Sequence, residues 1–128
     1  MDDAALVAAF ESTELEQFSH VEHVRVAWWY LRILPLAEAL ARCSTGIRRF
    51  AAAKGATDKY HETITVFWMR TVAKYNISRN GTSLLEKANE VAYKWDKDFP
   101  LNFYSRDLLF SDEARARFVE PDLAPLNQ

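Results

Sequence analysis

The chain has 128 residues, 49% of them hydrophobic and 13% aromatic, which suits one globular domain with its own core and excludes a disordered chain. Its formal net charge is −2 with no basic stripe, which argues against a nucleic-acid partner. A single cysteine, Cys43, leaves no internal disulfide, and no apolar run reaches membrane-spanning length. The opening Met1-Asp2-Asp3 lacks the basic region of a signal peptide, so the expected location is the cytoplasm, with no membrane partner. Three glycines and four prolines supply few turns, which favours long helices over many short strands.

In chain order, residues 3–11 read as a short helix with Leu6, Val7 and Phe10 on one face. Residues 12–18 form a polar connection broken by Leu15 and Phe18. Ser19 and Glu22 make a capping box that opens a second helix, His20 to about Leu34, whose stripe is Val24, Ala27, Trp28 and Leu31. Pro35 ends it and suits the start of a third helix, 36–54, lined by Leu36, Leu40, Ile47 and Phe50, with Gly55 as its C-cap. Thr57 or Asp58 caps a fourth helix, 59–75, whose inward residues are His61, Ile64, Trp68 and Val72. A second capping box, Ser83 to Glu86, opens a fifth helix over 84–96. Ser105 and Ser111 cap two short helices, 106–110 and 112–118. The tail 119–126 is extended by its prolines and packs back through Leu123 and Leu126. The expected fold is all-α: an up-down bundle of four main helices, with a short N-terminal helix and an extended C-terminal tail.

The only three histidines fall in two motifs, His20 and His23 in one and His61 in the other. Short connections make consecutive helices antiparallel, so helices two and four point the same way and start at the same end. All three histidines then lie in first turns at that end. Side chains at i and i+3 stand about 5–6 Å apart, close enough for two imidazoles to share an ion. A helix N-terminus disfavours imidazolium, and neutral imidazole is the form that binds metal. The expected site is therefore His20, His23 and His61 with Glu62 around a divalent transition metal: zinc, iron, manganese or copper. Glu62 serves either as ligand or general base, or only as a favourable charge at the helix start, and Asp58 is a weaker carboxylate candidate. Tyr60, beside His61, is the aromatic residue placed to act with it. Cys43 reads as an inert buried thiol. Arg48, Arg49, Lys54 and Lys59 form a solvated face that could attract an anionic substrate.

The pattern of Phe18, His20, His23, Ala27 and Trp28, then Gly46, Ile47 and Phe50, then Lys59-Tyr60-His61-Glu62-Thr63, continues through Leu109-Phe110-Ser111, Ala114-Arg115 and Pro121-Asp122-Leu123. It covers most of the chain and resembles a group of small bacterial helical proteins with no established activity. The resemblance implies a bacterial, soluble protein and carries no catalytic residues. The three-histidine arrangement is also similar, by analogy, to DinB-like metal-binding bundles, with the spaced pair here preceding the single histidine.

Two function classes follow. One is a small metal-dependent enzyme acting on a small, partly apolar substrate, with the ion as Lewis acid or water activator and Glu62 as base. The other is a non-catalytic helical module that binds a partner or a small ligand, with structural histidines.

Overall fold

The computed structural model describes residues 2–74 and 96–126. It is all-α, with no strand among the described residues. The main helices are α1 (Asp3–Glu11), α2 (His20–Ile33), α3 (Leu36–Ala53) and α4 (Glu62–Lys74). A 3-10 turn, Thr57–Lys59, precedes α4. Another, Phe99–Asn102, leads to the short helices α5 (Arg106–Leu109) and α6 (Asp112–Ala116). The expected helix 84–96 lies outside the described residues. Among these helices none is long and apolar enough to cross a membrane.

Local sequence accounts for most helix ends. The Asp2 carboxylate accepts from the Ala5 amide at 2.8 Å and starts α1. The Glu22 carboxylate accepts from the Ser19 amide at 2.8 Å and from the Ser19 hydroxyl, holding the start of α2. After α3, Gly55 takes φ +68°, and the bonds Gly55 N–Ala52 O and Ala56 N–Ala51 O close a Schellman motif. The same pair of bonds ends α1, from Thr13 to Phe10 and from Glu14 to Ala9. There the left-handed position, φ 62°, falls to the β-branched Thr13.

α2 is the central element. It packs on α1, α3 and α4, and so buries more than the one stripe its periodicity shows. Val24, Val26, Ala27 and Trp28 are fully buried, and Tyr30 and Arg25 nearly so. α1 supplies the partners for the two polar ones: Arg25 pairs with Asp3 at 2.8 Å, and Tyr30 donates to Glu11 at 2.5 Å. α2 and α3 form an antiparallel hairpin, because Phe18, just before α2, meets Phe50 near the end of α3 with ring centroids 5.7 Å apart.

α3 packs through Leu40, Ile47 and Phe50 as expected, but its most buried positions are the small residues beside them. Ala39, Cys43 and Gly46 are buried; Leu40, Ile47 and Phe50 pack partly, and Leu36 is exposed. The small residues go inward because α1 closes on them. A Cβ at position 46 would lie 2.4 Å from two atoms of the Phe10 ring. Cys43 is the expected inert thiol, with burial pushing it up to about 12.

α4 also differs. It starts at Glu62 rather than 59, since Tyr60 is extended (φ −64°, ψ 142°), and the Thr57 or Asp58 cap gives way to the 3-10 turn. His61 stands at the N-cap position: the Thr65 amide donates to its carbonyl at 3.1 Å. Trp68 and Val72 are buried as expected, and so are Thr63, Thr65, Val66, Phe67 and Met69, because the C-terminal segment covers the second face. There Phe67 and Trp68 pack with Tyr104 and Leu109 and with the partly buried Phe99, Phe103, Val119 and Leu126.

Thr63 ties this segment down. Its hydroxyl donates to the Arg117 carbonyl at 2.9 Å and accepts from the Val119 amide at 3.2 Å. Arg117 is therefore extended and α6 stops at Ala116, two residues short of the expected end. The tail packs back through Leu126, but Leu123 is 60% exposed, a correction to the expected contact. Its backbone does the docking, the Leu123 amide donating to the Phe103 carbonyl at 2.8 Å. Asp122 accepts from the amide and hydroxyl of Ser105 at 2.8 and 2.7 Å.

Candidate functional site

The Tyr60-His61-Glu62 segment sits where α3, the 3-10 turn, α4 and the C-terminal segment meet. His61 is 8% exposed, and both its ring nitrogens are committed. Nδ1 accepts from the Ile64 amide at 3.1 Å. An amide can only donate, so Nδ1 carries no proton and the proton lies on Nε2. Nε2 then donates to the Leu109 carbonyl at 2.6 Å. One imidazole thus caps α4 and latches α5 onto it. Burial holds its pKa below the ordinary value; the Leu109 carbonyl opposes this and the Arg115 guanidinium adds to it.

Glu62 turns to a different group. Its carboxylate accepts from the Tyr60 hydroxyl and from Arg48 Nη2 at 3.2 Å. The Arg48 guanidinium also lies 4.8 Å above the Tyr60 ring. Burial raises the Tyr60 pKa, and the bond to Glu62 raises it further. Beside this trio lies a cavity of about 580 Å³ lined by Arg48, Thr57, Asp58, Tyr60, Asp112 and Arg115 among others. Arg115 Nη1 reaches the Asp58 carbonyl at 3.3 Å across the 3-10 turn.

His20 and His23 lie elsewhere. The His20 ring packs on Trp68, centroids 4.4 Å apart. Trp68 follows His61 by seven residues, about 10 Å of helix rise. α4 is thus shifted along its axis relative to α2, and His61 lies two turns from the level of His20. The His23 ring packs against Phe18 at 5.7 Å, and its Nε2 is out of solvent with no hydrogen-bond partner among the described residues. Burial pushes His23 down to about 4, with the His20 charge adding to the shift.

The three histidines therefore do not converge as topology suggested. Among the described residues no group of three or more His, Cys, Asp or Glu side chains is arranged to hold a metal ion. The expected donor set of His20, His23, His61 and Glu62 does not fit one ion, because His61 has no free lone pair and Glu62 is bound to Tyr60 and Arg48. Topology gave α2 and α4 the same direction; the axial shift between their starts was not in the pattern. Sequence reading placed Tyr60 and Glu62 side by side, which they are, but missed Arg115 as a wall of the cavity. The only signal for it was its place in the same motif series as the Tyr60 segment.

No protein-family model matches the chain, and neither curated proteins nor solved structures give a significant match.

Proposed function

We propose that this chain is a non-catalytic helical binding module that takes a small polar ligand in the Tyr60 cavity, with His61 serving the fold. The observation that carries this is the double commitment of His61, one nitrogen to the Ile64 amide and the other to the Leu109 carbonyl. A metal ligand needs a bare nitrogen, and this one has none to give. The cavity supports the ligand. It offers guanidinium groups from α3 and α6, an aromatic wall and a hydroxyl, the mixture of apolar surface and few polar anchors that small-molecule sites use.

A second reading, a metal-dependent enzyme, is favoured by one feature: the shielded Nε2 of His23, unpartnered among the described residues, one turn after His20. Metal analysis of protein purified without a histidine tag, before and after exposure to zinc and iron(II), separates the two. Substoichiometric metal, with small polar molecules raising the melting temperature of the native chain but not of Arg115→Ala, is expected. A stoichiometric ion lost in His61→Asn would overturn the proposal. An ion lost in His23→Ala and kept in His61→Asn would replace it with the second reading.

A further inference from the structure

We infer that a second cavity, the groove between α1, α2 and α3, binds a small oxyanion, a carboxylate or phosphate group, between Arg42 and Arg49 over Thr45. The groove holds about 560 Å³ and is separate from the Tyr60 cavity, sharing no lining residue with it. Arg42, Thr45 and Arg49 follow one another at i, i+3 and i+7, so they form one stripe on the exposed side of α3. Two guanidinium forks and a hydroxyl are a donor set matched to planar or tetrahedral oxyanions.

One of the two lining carboxylates is already engaged. Glu11 lines the groove, but its Oε2 accepts from the buried Tyr30 hydroxyl at 2.5 Å. Arg49 Nη1 donates to the backbone carbonyl of Glu11 at 3.1 Å rather than to its carboxylate, which aims the guanidinium at this end of the groove. Arg42 makes no hydrogen bond or ion pair among the described residues, although Glu38 stands one turn before it and also lines the groove. Glu38 is seven residues from Thr45, about 10 Å along the helix, so it borders the site only at its Arg42 end. The stripe thus presents two guanidinium groups, Arg42 with no hydrogen bond or ion pair among the described residues and Arg49 held by a backbone carbonyl, beside a carboxylate that already accepts from Tyr30.

Nuclear magnetic resonance titration of the full chain with inorganic phosphate and with acetate, at constant ionic strength with chloride as control, tests this. Saturable shifts centred on the Thr45 and Gly46 amides are expected for at least one oxyanion and not for chloride. Arg42→Gln, an exposed change that leaves the core intact, should weaken that binding at least tenfold. Tyr30→Phe releases the Glu11 carboxylate to compete for the arginines, and should weaken it severalfold while both arginines remain. Shifts that do not saturate, that persist unchanged in Arg42→Gln, or that centre on Arg48 and Arg115 would overturn the inference.

Discussion

His61 gives the sharpest test of how this fold is held. Replacing it with alanine removes two interactions at once. The Ile64 amide loses its cap acceptor, a loss of about 1 kcal/mol in comparable helices. The Leu109 carbonyl loses its donor inside the protein, and an unsatisfied buried acceptor costs roughly 1–3 kcal/mol. The sum is roughly 2–4 kcal/mol, a large share of the 5–15 kcal/mol typical of a whole domain. His61→Asn separates the two parts. Asparagine is a good cap and restores the acceptor for Ile64, but it is too short to reach Leu109, so about 1 kcal/mol should return. Urea denaturation at neutral pH, followed by tryptophan fluorescence, reads both values from the midpoint at constant slope. The ordering native, then Asn, then Ala is expected. Ala within error of native, or Asn no better than Ala, would refute the cap-and-latch reading.

Other consequences are equally open to measurement. Trp68→Ala should cost roughly 3–5 kcal/mol, since Trp68 is 2% exposed and carries the His20 ring. Gly46→Ala should destabilise by roughly 1–3 kcal/mol despite the better helix propensity of alanine, because its Cβ meets the fully buried Phe10 ring. Thr13→Gly should stabilise by about 1 kcal/mol, relieving a β-branched residue at φ 62°. His23 contributes most clearly to the acid dependence, and His61, also held low by burial, adds to it in the same direction. The folded pKa of His23, about 4, lies below the unfolded 6.5, so between these values the unfolded chain binds the extra proton and stability falls as pH falls. The full contribution is present above pH 6.5. The His23 part of the decline from pH 6.5 towards 4 amounts to at most about 3 kcal/mol, and His23→Gln should make the decline shallower, leaving the His61 part. A wild-type stability independent of pH in that range would refute the burial of a neutral imidazole there.

How much of this was legible in the sequence depends on the range over which each signal acts. Helix ends were legible where one residue decides them: Ser19 with Glu22, Pro35, Gly55, Ser105 and Ser111 all sit where a cap or break belongs. Helix faces were legible where the partners lie on one side, as for α1, whose Leu6, Val7 and Phe10 are all buried. α2 and α4 each have several, and burial on more than one side erases a single stripe. Their second faces carry Tyr30, Arg25, Thr63 and Thr65, polar residues outside the expected stripes whose burial depends on partners at Glu11, Asp3, the tail backbone and the His61 carbonyl. α3 misled in depth rather than in face. Its large residues Leu40, Ile47 and Phe50 do pack on the core, but close approach of α1 buries the small ones beside them most deeply, and Gly46 carried that information as an absence of side chain.

The histidine site turned on a premise that was right and a step that did not follow from it. A helix N-terminus does favour neutral imidazole, and His61 is held neutral there by burial. Neutrality suits a metal ligand, but it suits an N-cap equally well, because a bare Nδ1 accepts from an amide as readily as it donates to an ion. Distance along the helix decides between them. His61 precedes the first helical residue, Glu62, so its ring turns back over its own first turn, where the Ile64 amide has no partner in the helix. The opposite nitrogen then points at whatever the chain places next to that turn, which is the Leu109 carbonyl at the end of α5. Had the helix begun at 59, as its periodicity suggested, His61 would lie inside it with Nδ1 free. The short extended step at Tyr60 thus converts a ligand position into a structural one, and it also turns Tyr60 and Glu62 towards Arg48 and the cavity beside it.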